Sequence, residues 1–151
     1  MAHVVSIVYR PKGTGRPQDR YARVPTDRVQ LIEAHGIEGD RKAGSKKRQL
    51  NVMLAETLAE LGQEGFKVGP GELGEQIVIS GVDPAALVEG ARIKLGAAVI
   101  EVGEPRTGCD RFEMIQGKPR HAAKGRLGTL ARVIVGGAVA VGDPVEVLTA
   151  D

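Results

Sequence analysis

Three stretches of the 151-residue sequence collect side chains able to do chemistry. The first is Pro105-Arg106-Thr107-Gly108-Cys109-Asp110-Arg111-Phe112, which holds the single cysteine. The thiolate is the nucleophilic form of sulfur, and nearby cations stabilise it. Folded back towards the sulfur, Arg106 and Arg111 would raise the thiolate fraction at neutral pH, whereas Asp110 would work against them. The bland alternative is a buried structural cysteine, because free cysteine is among the most buried residue types. Flanking glycine and charge weigh against burial, and both readings stay open.

The second stretch is Gly36-Ile37-Glu38-Gly39-Asp40-Arg41-Lys42, followed by Lys46-Lys47-Arg48-Gln49. Glycines let backbone amides approach a ligand, and the cations suit a phosphate or carboxylate. A charge run is more often a solvated loop, and neither a Walker motif nor a dinucleotide-binding glycine fingerprint strengthens the phosphate reading. The third stretch, Gly69-Pro70-Gly71-Glu72-Leu73-Gly74-Glu75-Gln76, is either a ligand-facing loop or a tight turn into the apolar strand after it. His3, His35 and His121 are widely spaced and there is no second cysteine, so no closed zinc site is expected. No serine–histidine–aspartate order can be argued from spacing.

These stretches must be positioned by short elements. Glycine at 21 residues and 8 prolines imply many turns, which favours β architecture. The strands expected are His3 to Tyr9, one or two within Ala22 to Glu33 interrupted at Pro25, Gln76 to Ser80, Arg92 to Leu95, Ala98 to Val102, Thr129 to Val135 and Val145 to Leu148. Val29, Leu31 and Ile32 are the buried candidates of the second group. Gly137 to Ala140 reads as part of a hairpin. Arg10 to Arg20 reads as a mobile basic loop. A helix is expected over Asn51 to Leu61, because Leu54, Leu58 and Leu61 recur at helical spacing, with Asn51 as cap and Gly62 as stop. A helical turn is expected at Asp83 to Val88, capped by Asp83 with Pro84 in its first position. Regularly spaced strands with one or two short helices predict a mainly β fold, a closed or nearly closed barrel, in a single domain spanning 1–151.

Composition narrows the function classes. With 42% apolar and 26% charged residues the chain suits one ordinary core. Aromatics at 3% with no tryptophan argue against a base-stacking platform, and a net charge of +2 is well short of a dedicated nucleic-acid surface. No apolar run approaches the roughly 18 to 20 residues of a membrane span, and no secretory signal is visible. One cysteine excludes an internal disulfide, so a reducing, cytoplasmic setting is expected.

Taken in order, these segments resemble the MOSC domain family, named for the C-terminal domain of molybdenum cofactor sulfurase. The resemblance covers nearly the whole chain. It rests on Gly36 to Arg41 for a Gly-x-x-Gly-Asp-Arg segment, Gly71 to Gln76 for Gly-Glu-x-x-Glu-Asn, Cys109 after a strand, and Gly136-Gly137 to Gly142-Asp143 for a closing glycine–aspartate segment. Gln76 stands where the family often has asparagine, and Lys42 where many members carry histidine. The resemblance implies a β-barrel that binds a pterin-type molybdenum cofactor, or a related sulfur-bearing anion, with Cys109 carrying or abstracting sulfur or touching the cofactor's metal. It implies Arg41, Lys46, Lys47, Arg48, Arg106 and Arg111 as anion partners, Asp40 as an orienting carboxylate, and Glu72 and Gln76 as polar groups near the pocket. Larger members add a desulfurase domain that uses pyridoxal phosphate. No lysine here can be assigned to that cofactor, so the implied partner is a separate cysteine desulfurase or a molybdoenzyme. The competing reading is a non-catalytic module that binds an anionic ligand in a basic pocket.

Overall fold

The computed structural model describes residues 1–11, 21, 23–40, 43–46 and 48–148. Among the described residues, eleven strands and two α-helices follow one another: β1 (His3–Tyr9), β2 (Val24–Thr26), β3 (Arg28–Ile32), β4 (Gly36–Ile37), β5 (Leu50–Leu54), α1 (Ala55–Gln63), β6 (Ile77–Ser80), β7 (Arg92–Leu95), β8 (Ala98–Pro105), α2 (Asp110–Gln116), β9 (Thr129–Val135), β10 (Gly137–Ala140) and β11 (Val145–Leu148). Eight strands form one sheet in the order β11-β7-β8-β9-β5-β6-β1-β2, and β10-β3-β4 form a second. β5 and β6 run parallel, whereas every other pair is antiparallel. A parallel pair requires a crossover, and α1 with the loop after it supplies one.

The expected barrel does not close; the eight-stranded sheet is open and mixed. The start of β1 does meet the turn before β11, through bonds from Val4 N to Asp143 O and from Val145 N to Ala2 O and a single bridge between His3 and Pro144. Pro144 has no N–H to donate, and the second half of β1 is taken by β2. The two ends therefore touch at a turn without forming a ladder.

The main core lies between the two sheets, with Leu31, Ile37 and Val139 of the smaller sheet packed with Val4, Ile7, Val52, Ile77, Ile93, Ile100 and Val133 of the larger. A second apolar cluster, Met53, Leu61, Phe66, Leu73, Phe112, Ala123 and Leu127, joins α1 and α2 to the segment that follows α2. That cluster holds the cysteine's helix against the body of the protein.

Several expectations shift. Asn51 is not a helix cap: Leu50 to Leu54 is a wholly buried central strand, and α1 starts at Ala55 and runs past Gly62 to Gln63. A strand buried on both faces shows no alternation, so its leucines were indistinguishable from a helical stripe. Ile32 is exposed while Leu31 is buried and Val29 half-buried, because successive strand residues face opposite ways. Pro25 lies inside β2, which its edge position permits. Of the expected mobile loop, Arg10 is buried at the end of β1 and residues 12–20 lie outside the described residues. Asp83 does cap its turn, accepting from Ala85 N at 2.9 Å. Among the described residues, no helix is long and apolar enough to cross a membrane.

Candidate functional site

β8 ends at Pro105, and the next residues carry Arg106 and Cys109 to the start of α2. Cys109 occupies the N-cap position in extended conformation, and its carbonyl accepts from Glu113 N at 3.1 Å. It is exposed, which sets aside the buried structural reading. Acidic Asp110 and Glu113 in the first turn favour helix formation here, and Phe112 anchors the turn in the second apolar cluster. This short helix was not foreseen.

α2 is tied to the third glycine-rich stretch through Gln116. Its Oε1 accepts from Lys67 N at 2.7 Å, and its Nε2 donates to Lys67 O and Glu72 O, each at 3.0 Å. The cysteine helix and the 69–76 loop are thus tied together. Within that loop Glu72 accepts from Gly69 N at 3.1 Å and shapes the turn. Glu75 is the buried carboxylate, accepting from Gly71 N at 2.8 Å and Leu73 N at 3.1 Å. Burial pushes its carboxyl above the usual range, partly offset by those N–H donors and by Arg23.

Asp40 and Gln76 are both buried and interlocked. Asp40 accepts from Arg10 N at 2.8 Å and from Gln76 Nε2 at 2.5 Å, while Gln76 Oε1 accepts from Asn51 N at 2.7 Å. Gln76, where the family often has asparagine, uses its extra reach to join β5 to the aspartate of the second stretch. Asn51 Nδ2 donates to Gly74 O at 3.3 Å, and its Oδ1 is buried without a partner.

The basic groups converge on Tyr21. Arg106 donates through Nη1 to Leu73 O and through Nη2 to the Tyr21 hydroxyl at 3.3 Å, and its backbone N donates to Gly128 O at 3.0 Å. Arg23 and Arg111 lie over the Tyr21 ring, 5.7 and 5.4 Å from its centre, within cation–π reach. Gly74 makes this possible. A Cβ there would come within 2.5 Å of the Arg106 guanidinium and 3.2 Å of the Tyr21 ring, and its φ of +80° suits glycine. Burial holds the Tyr21 hydroxyl above its ordinary value against the pull of Arg106, with a smaller contribution in the same direction from Cys109. Burial also draws Arg23 below its ordinary value, with Asp40 opposing. Arg23 Nε and Nη1 are buried and have no hydrogen-bond partner.

Of the sequence candidates, Arg106, Arg111 and Cys109 come together around Tyr21, with Asp40 and Gln76 in the adjoining network. Lys46 is elsewhere, lining a cleft with Glu89, Glu101 and Arg132. Arg48 is exposed, with its backbone N donating to Ser45 Oγ at 3.1 Å. Arg41, Lys42 and Lys47 lie outside the described residues. Tyr21, Arg23, Asn51 and Glu75 were missed; only Glu75, inside a motif already singled out, carried a local signal. Among the described residues, no three histidine, cysteine, aspartate or glutamate side chains gather as a metal site.

A sequence model of the MOSC domain matches residues 39–146, more than half of the chain and the whole stretch from Asp40 to the closing glycine–aspartate turn. The chain belongs to the MOSC domain family. Solved structures share its fold. YuaD from Bacillus subtilis is 22% identical with a TM-score of 0.76, over 100% of this chain and 98% of that one. YiiM from Escherichia coli is 23% identical with a TM-score of 0.72, over 100% of this chain and 71% of that one. YiiM from Geobacillus stearothermophilus is 16% identical with a TM-score of 0.74, over 99% of this chain and 76% of that one. No curated protein matches the sequence. In this MOSC domain the closing turn is structural: Asp143 Oδ2 accepts from Ala140 N at 2.8 Å, and its carbonyl accepts from Val4 N.

Proposed function

We propose that this MOSC domain holds a pterin-type molybdenum cofactor, or a related sulfur-bearing anion, beside Tyr21 and carries sulfur on Cys109. The convergence of Arg23, Arg106 and Arg111 on one ring next to an exposed thiol carries this reading. Arg23 supplies the fit: a buried guanidinium with two orphaned nitrogens is costly unless an anion meets it, and a phosphate has the required charge and acceptors. Arg106, fixed by Leu73 and Tyr21, orients that anion, and Arg111 adds positive charge from the cysteine's own helix. Asp40, Gln76 and Glu75 hold the loops in place without contributing their own oxygens. The bound cofactor supplies a metal whose sulfur ligand can be exchanged.

The chain's own step is thiol–persulfide exchange. The Cys109 thiolate attacks the outer sulfur of a persulfide on a partner such as a cysteine desulfurase; the new S–S bond forms on Cys109, the old one breaks, and the partner's inner sulfur leaves as a thiolate. Sulfur is moved with no net oxidation. Protein purified without reductant should carry an adduct of about 32 Da, the mass of one sulfur atom, that vanishes in Cys109→Ser and on reduction. The same variant should abolish sulfuration of a molybdoenzyme; unchanged sulfuration would overturn the carrier role.

A further inference from the structure

Two carboxylates stand in the first turn after the thiol, Asp110 and Glu113. An acidic neighbour disfavours a thiolate, so this placement opposes the chemistry proposed above. The structure answers it with a residue outside the site. Arg120 opens the 3-10 turn Arg120–Ala123, and its guanidinium bonds Asp110 Oδ1 through Nη2 and both oxygens of Glu113 at 3.2 Å. Its stem lies directly over the backbone that precedes the cysteine: a Cβ on Gly108 would come within 2.8 Å of Arg120 Cβ.

The turn is also held by bonds that do not use the guanidinium. Glu113 Oε2 already accepts from Arg120's main-chain N at 2.7 Å, and Cys109 O accepts from Glu113 N. Asp110, by contrast, is almost fully solvent-exposed, and the guanidinium is the partner that it meets. Charge and structure are therefore separable at this position.

We infer that Arg120 is a positioning residue that keeps Cys109 nucleophilic by neutralising Asp110 and Glu113 beside it. This rests on the sulfur-carrier reading for its purpose, though not for its measurement. Arg106 and Arg111 gather at Tyr21 on the site side, Asp110 and Glu113 follow the cysteine on α2, and Arg120 and His121 act on Glu113 from the turn after it. Removing Arg120 alone leaves the site arginines in place and leaves Asp110, the residue next to the cysteine, and Glu113 without their cation.

The test is the rate of Cys109 alkylation by iodoacetamide on the full chain between about pH 6 and 9. Arg120→Ala should slow alkylation near neutral pH by about threefold, a shift of roughly half a pH unit in the rate profile, the size expected of a solvent-screened charge. Arg120→Met, which keeps the apolar stem, should do the same. Asp110→Asn alone should alkylate no slower than the wild type, because it removes a negative charge near the thiol, and Asp110→Asn with Arg120→Ala should recover most of the rate. Raising salt to about 1 M should shrink the Arg120→Ala effect. The inference is overturned if Arg120→Met alkylates like the wild type, or if the double variant stays as slow as Arg120→Ala, which would mark a structural role. Cys109→Ser that retains sulfuration would sink the carrier reading while leaving the alkylation result standing.

Discussion

Two groups of arginines in this MOSC domain meet opposite fates. Arg120 and Arg126, in the segment between α2 and β9, are saturated: Arg120 holds Asp110 and Glu113, and Arg126 holds Glu60 and Glu64 of α1 together with Ala122 O. Around Tyr21, Arg106 meets a carbonyl and a phenol, and the buried Arg23 leaves two nitrogens bare. The carboxylates nearest to Arg23, Asp40 and Glu75, spend their oxygens on backbone amides and on Gln76. In one region arginine is neutralised by carboxylates, and in the other it is held in reserve. Opposite charge close by separates the two, and burial makes the second costly.

The comparison can be broken most forcefully at Asp40. Asp40→Ala strands Arg10 N and Gln76 Nε2 in the interior, and a loss of about 3 kcal/mol is expected in urea unfolding. A loss under about 1 kcal/mol would mean that the network is not what frames the site.

Glu75→Gln should cost about 1 to 2 kcal/mol at neutral pH, because an amide accepts through one oxygen where the carboxylate accepts through two. The pH dependence has a definite sign. Glu75's folded-state pKa is raised by burial, so its contribution is fully present below the unfolded value and is lost as pH rises through the raised one. Stability of the wild type relative to Glu75→Gln should therefore decline with rising pH above about 4.5. A difference that grows with pH would contradict the dominance of burial over the N–H donors and Arg23 at Glu75.

At Arg23 the expected sign reverses. Arg23→Met removes a buried charge with orphaned donors and should leave stability unchanged or raise it by up to about 1 kcal/mol, while weakening retention of any copurified anion. Thermal melts with phosphate analysis of the purified protein read both effects. The smallest change belongs to Arg126→Met, a drop in melting temperature of about 2 °C that disappears in high salt, as surface ion pairs show.

Much of the fold could be read directly. β1, β7, β9 and β11 match their apolar runs, each with at least one end marked by glycine, proline or charge, and Asp83-Pro84 announced its own turn, because each signal is local. Cys109, Arg106 and Arg111 were legible for the same reason, lying within a few residues of one another. The charge run at Lys46 to Arg48 shows the limit of local reading: composition marked it as basic, and the fold sends Lys46 to a different cleft.

By itself, then, the sequence determined a mainly β MOSC domain with a lone cysteine among arginines. Tertiary structure decided that the sheet stays open, that Cys109 is exposed at a helix start, and that Tyr21 and Arg23 stand with Arg106 and Arg111. The reason is distance along the chain: Tyr21 meets Arg106 across 85 residues and Asp40 meets Gln76 across 36. No short-range pattern encodes such pairings, which depend on how strands order themselves around a shared core.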